Sequence, residues 1–167
     1  ASSFKTQITF YSAADLVREL ETKELESDVV RALRDRELEV YLQPKYDIHS
    51  ERIKGAEALI RWNHPEKGML SPASFIPACE ANGFVCTIDF FVLEEVCRSL
   101  REWKEEGRQL VKVSVNFSRR HLAEPDFVDR LVEAVRYYDL EPSDLEIELT
   151  ESVAYDEMGT LLKVMHQ

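Results

Sequence analysis

The sequence has 167 residues, 44% of them hydrophobic and 32% charged, which is enough for one soluble globular domain with a core of its own. Its net charge of −11 argues against a nucleic-acid polymer as partner, since affinity for such a polymer comes from a basic patch. No run approaches the ~18 apolar residues of a membrane span, and nothing reads as a signal peptide. Cys79, Cys86 and Cys97 are odd in number and lack CxxC spacing. They read as buried thiols in a reducing compartment, not as a disulfide or zinc framework. The expected location is a cytoplasmic domain, whether or not the parent protein is membrane-anchored.

"ITFY" at 8–11 is β-prone, and Ser12 with Asp15 three residues on forms a capping-box pattern. From 12 to 36 the chain is charged and free of Gly and Pro. Leu16, Leu20, Leu25, Val29 and Leu33 give it a narrow apolar stripe, the pattern of a connector helix. "LEVYLQPKYDI" alternates as a strand, with Pro44 expected to limit its pairing near the end. "RIKGAEALIRW" follows, then a loop and a short helix around "PASFIPACEANG", where Ser71 is a candidate cap and Pro72 occupies the first position. A longer helix is predicted over 87–105, with Ile88, Phe91, Val92, Val96, Leu100 and Trp103 at helical spacing. "LVKVSVNFS" is a strand, "PDFVDRLVEAVRYYDL" a helix, "LEIELTES" a strand, and 154–166 a further helical run. Strands alternating with helices predict βα units on a mainly parallel sheet, an α/β fold.

The stretch "GAEALIRW" (55–62) places Glu57, Leu59 and Arg61 on one side of a strand, and Ala56, Ala58 and Ile60 on the other. Four residues of strand span roughly 13 Å, so Glu57 and Arg61 are too far apart to pair. The spacing suits two contacts to one elongated anionic ligand. In the same way Asn116 and Glu148 lie on the polar faces of their strands, near the C-terminal ends. In βα architectures those ends form the active-site face. Two carboxylates and an amide oxygen would suit Mg²⁺ or Mn²⁺, not zinc. Periodicity alone leaves the alternative open, that the glutamates face solvent and the asparagine forms a turn.

Together, "YLQPKYDI", "GAEALIRW", "SPASFIPACEANG", "ID", "VSVNFS" and "LEIELTES" resemble, in order and spacing, the EAL domain family. Its members are bacterial phosphodiesterases that cleave cyclic di-GMP to the linear dinucleotide. The resemblance covers 37–167 as the N-terminal half of such a domain. Residues 1–20 also resemble, more weakly, the tail of a preceding GGDEF (diguanylate cyclase) domain, with 12–36 as the joining helix. The family implies a TIM-like (β/α)8 barrel with an antiparallel first strand, of which about the first half is present.

By the same resemblance Glu57, Asn116 and Glu148 bind the catalytic divalent metals, Mg²⁺ or Mn²⁺. Arg61 contacts a substrate phosphate, Gln43 and Leu59 line the ligand site, and Asp89 contacts a guanine. Glu151 supports the loop that organises metal binding. The implied chemistry is two-metal phosphodiester cleavage. The family's later Asp pair, Lys and Glu are not found before Gln167, so the 167 residues alone are expected to be inactive. A homodimer or a pairing with another chain is expected to cover the open edges. The alternatives are a non-catalytic cyclic di-GMP receptor and a purely structural dimerisation module. His64 and His121 read as isolated surface residues, Trp62 as packed beneath a loop, and Trp103 as core-facing.

Overall fold

The computed structural model describes residues 13–149. The predicted strand at 8–11, the capping box at Ser12, Glu151 and the helical run from 154 lie outside them.

Helix α1 (Ala13–Arg34) leads into a hairpin of β1 (Leu38–Asp47) and β2 (Arg52–His64). The short strand β3 (Gly68–Leu70) and α2 (Ile76–Asn82) follow, then α3 (Val85–Glu105), β4 (Lys112–Phe117), α4 (Phe127–Tyr137) and β5 (Leu145–Leu149). The sheet order is β1-β2-β4-β5, with β3 paired to β2. β1 is antiparallel to β2, while β2, β4 and β5 run parallel. This is the architecture of a (β/α) barrel entered through an antiparallel first strand, as the family resemblance implies.

Helices α1, α3 and α4 each end where a residue takes positive φ and lets the chain reverse. Arg36 does so after α1 (φ 60), Gly107 after α3 (φ 70) and Asp139 after α4 (φ 53). In each case the next amide reaches back five residues: Glu37 to the Ala32 carbonyl, Arg108 to Trp103, and Leu140 to Val135. These bonds satisfy carbonyls that a helix terminus leaves unpaired. Asp139 adopts a conformation that favours glycine, and its carboxylate is held there by Arg101 Nη1 at 2.6 Å and by Lys104.

The core lies on one side of the sheet. Ala56, Ala58, Ile60 and Trp62 from β2, and Val113, Val115 and Phe117 from β4, are buried against Ile88, Leu93, Val96 and Leu100 of α3. Burial of each large aliphatic or aromatic side chain is worth about 1.5–3 kcal/mol. Trp62 is fully buried beneath the β2–β3 connection, edge-on to Phe75, with its Nε1 donating to Glu37 at 2.9 Å. Trp103 packs partly buried against the core, as its spacing predicted.

Several sequence expectations are corrected. Pairing of β1 runs past Pro44 to Asp47, because β1 is an edge strand among the described residues and an edge tolerates a missing amide donor. The loop after β2 contains β3, which Gly68, at φ 71, lets fold back on β2. Ser71 makes no side-chain cap; its carbonyl instead accepts from the Ser74 hydroxyl, and a 3-10 turn over Pro72–Ser74 precedes α2. The stripe of α1 is inward at Val29, while Leu20 is exposed. Both histidines are buried: His64 because its Nδ1 accepts the Glu66 and Lys67 amides of the turn, and His121 because it fills an aromatic niche.

At Gly55 the β2 and β4 backbones come so close that a Cβ would lie 2.8 Å from the Lys112 carbonyl oxygen. That contact is with backbone and cannot be relieved by a rotamer change. Gly55→Ala is therefore expected to cost about 1–3 kcal/mol, the usual range for overpacking. Urea unfolding of the variant beside the parent measures it, and an unchanged midpoint would refute the close approach.

Candidate functional site

The face of the sheet opposite the core gathers the polar residues singled out in the sequence. Residues directly opposite on paired strands share a face, and the register sets Gln43 against Glu57, Tyr41 against Leu59, and Glu39 against Arg61. On the parallel side Glu57 pairs in register with Ser114, and Asn116 with Glu148. Gln43, Glu57, Leu59, Arg61, Asn116 and Glu148 thus lie on one continuous surface.

Within it Asn116 Nδ2 donates to Glu57 Oε1 at 2.8 Å. Lys45 Nζ donates to Glu148 Oε1 at 2.7 Å and to Ser114 Oγ at 2.8 Å. Lys45 starts from β1 and reaches across two strands. Its register partner is Gly55, which puts no side chain in the way. The hydrogen bond between them raises the Lys45 ammonium above its ordinary pKa and lowers the Glu148 carboxyl below its own. The sequence reading missed Lys45. Its signal is the Lys directly after "QP", on the same strand parity as Gln43.

Arg61 is half-buried at the far end of β2, where its Nη1 donates to the Ile60 carbonyl at 2.8 Å. Leu59 and Asn116 line a cavity of about 220 Å³ together with Pro72, Ile76, Asp89 and Ser118. Asp89 is buried at 7% exposure. Its Oδ2 accepts the Ser118 amide at 2.7 Å and faces His121 Nε2 at 3.2 Å. Asp89 therefore reaches the candidate ligand cavity, and it also anchors the chain leaving β4. Glu151 lies outside the described residues.

Hard oxygen donors on three neighbouring strands, with Glu57 and Asn116 already in contact, fit a hard divalent cation. The local charge argues the same way. Glu39, Glu57, Glu146 and Glu148 share this surface with Lys45 and Arg61, so an anionic ligand needs added positive charge to bind here.

His121 sits against Phe90, Phe117 and Phe127, stacked on the last at 4.8 Å. Burial alone would lower its pKa, but hydrogen bonds to Asp89 and Glu124 outweigh that, and the result is raised above the ordinary 6.5.

Comparison with known proteins agrees with this fold. The family model for the EAL domain matches residues 26–167. The chain is 34% identical over 158 residues to the bifunctional diguanylate cyclase/cyclic di-GMP phosphodiesterase MucR of Pseudomonas aeruginosa, covering 95% of this chain and 23% of that protein. It is 36% identical over 142 residues to the cyclic di-GMP phosphodiesterase NbdA of the same organism, covering 85% of this chain and 18% of that protein. The chain thus spans about a fifth of the length of these curated relatives. Among solved structures, the PaMucR phosphodiesterase in complex with c-di-GMP superposes with a TM-score of 0.80 at 35% identity, over 86% of this chain and 58% of that one.

The His121 arrangement gives a signed expectation. A raised folded-state pKa contributes stability that is complete below about 6.5 and is lost as pH rises through the folded value. Asp89→Asn removes one of the two charges that hold the proton. The NMR titration midpoint of the His121 ring is expected to fall in that variant, and the stability gained on acidification to shrink. An unmoved midpoint would mean that Asp89 does not face the ring.

Proposed function

Because the chain belongs to the EAL domain family, we propose that it contributes to hydrolysis of cyclic di-GMP to the linear dinucleotide, using Mg²⁺ or Mn²⁺ held by Glu57, Asn116 and Glu148. The observation that carries this reading is the contact of Asn116 with Glu57, beside Glu148, on a face that also holds Gln43, Leu59 and Arg61. When bound, such ions supply an activated water and neutralise charge on the phosphoryl group. The protein's own residues do the rest. Arg61 offers a planar fork of donors to a phosphate oxygen. Gln43 and Leu59 line the groove, and Asp89 fixes the Ser118 backbone two residues beyond Asn116. Glu151 is assigned the support of the metal-binding loop by family resemblance alone.

A second reading, a receptor that binds cyclic di-GMP without cleaving it, is favoured by one feature. The Lys45 ammonium already supplies a positive charge to Glu148 and Ser114, so the face can hold together without metal. In either reading α1 would join a preceding GGDEF domain, and a second copy or another chain is the expected partner. No helix among the described residues is long and apolar enough to cross a membrane.

Turnover of cyclic di-GMP with Mg²⁺ or Mn²⁺, by the protein at its full natural length, separates the two readings. Hydrolysis should occur and should fall more than about a hundredfold in Glu57→Gln, beyond the loss expected for an outer-shell partner. Binding without turnover, unchanged in Glu57→Gln, would select the receptor.

A further inference from the structure

We propose that Cys86, His121 and Glu124 form a separate Zn²⁺ site, built of softer donors than the oxygen set on the sheet and distinct from it in place and chemistry. The candidate ligand atoms, one from each residue, lie within 4.8 Å of one another. A tetrahedral zinc with bonds of about 2.0–2.3 Å holds its ligand atoms roughly 3–4 Å apart, so a small inward movement completes the site. Glu124 is the member able to make it. Its side chain is 30% exposed and, among the described residues, meets His121 Nδ1 at 3.0 Å, Arg130 Nη1 at 3.4 Å and the Cys86 thiol.

The second observation concerns His121. It is fully buried, and its Nε2 is engaged by the Asp89 carboxylate at 3.2 Å, which fixes the orientation of the ring. A carboxylate behind the non-ligating nitrogen is the outer-shell arrangement that orients metal-binding histidines. It leaves Nδ1 directed at Glu124, at 3.0 Å, with Cys86 in the same cluster. Thiolate and imidazole donors favour zinc over magnesium. A cleft of about 530 Å³ lined by Cys86, Thr87, Glu124 and Arg130 opens onto the cluster and provides a path for the ion.

The protons balance as follows. Burial, with the Glu124 contact, pushes the free Cys86 thiol up to about 11, so it carries a proton when no ion is bound. Zinc binding releases that proton and the one shared between His121 Nδ1 and Glu124. The thiolate and carboxylate then neutralise the ion, a water fills the fourth position, and nothing is oxidised or reduced. The same Asp89 carboxylate holds the Ser118 amide, so an ion on His121 braces the chain just beyond Asn116.

The test is a Co²⁺ titration of the full-length protein with Mg²⁺ in excess to occupy the oxygen site. The expected result is a thiolate-to-cobalt charge-transfer band saturating at one equivalent, displaced by Zn²⁺, with release of about two protons per ion at neutral pH. Cys86→Ser should abolish the band and Glu57→Gln should leave it intact, which separates this site from the proposed phosphodiesterase centre. Absence of the band, its survival in Cys86→Ser, or its loss in Glu57→Gln would overturn the proposal. X-ray absorption of the zinc-loaded parent needs no variant: one sulfur in the first shell is expected, and a shell of nitrogen and oxygen alone would refute it.

Discussion

A close backbone approach within the sheet constrains much of the rest of the molecule. Where β2 passes β4 at Gly55, there is no room for a single Cβ beside the Lys112 carbonyl. This fixes the parallel register that runs Gly55 to Lys112 and Glu57 to Ser114. A strand shifted by one residue would turn its whole polar set into the core. With this register Ala56, Ala58 and Ile60 meet α3, and the opposite face receives Glu57, Asn116 and Glu148. The same glycine clears the way for Lys45. The residue that permits the close approach therefore also shapes the electrostatics of the site.

That electrostatic balance would by itself oppose an anionic ligand. Carboxylates dominate, and without metal the compensation comes from inside the sheet, through Lys45. A flexible ammonium can withdraw at little cost when a stronger cation competes for Glu148, whereas a buried guanidinium pair would resist. The pairing would therefore yield to a divalent ion bound by the proposed oxygen donors.

Behind the sheet, Asp89 links two tasks. Its carboxylate borders the cavity shared with Leu59 and Asn116, and it also holds Ser118 and His121. A charge buried to this degree persists only when it is fully hydrogen-bonded, and the amide of Ser118 and the ring of His121 meet that need. The turn after β4 is therefore pinned to α3, and Asn116 inherits the rigidity of that turn. The guanidinium of Arg130 over Phe90, at 3.6 Å, closes the outer side of the same niche.

Alternation and helical spacing in the sequence determined the type and order of nearly all the main elements, and they assigned Glu57, Leu59 and Arg61 to one face. Those signals are local, set by the two-residue period of strands and the 3.6-residue period of helices. The antiparallel first strand and the ligand roles came from family resemblance, since no local period carries them. Tertiary structure decided the fate of Lys45 and His121, whereas His64 is held by the amides of its own turn, Glu66 and Lys67. An isolated histidine reads as a surface residue when it has no metal-ligand partner at i+4, and the contact of His121 with Glu124, three residues on, belongs to no periodic pattern. Its other partners come from α3 and from rings before and after it in the chain, and folding brings them within 5.2 Å. Lys45 likewise meets Glu148 from 103 residues away, a separation across which no sequence pattern extends.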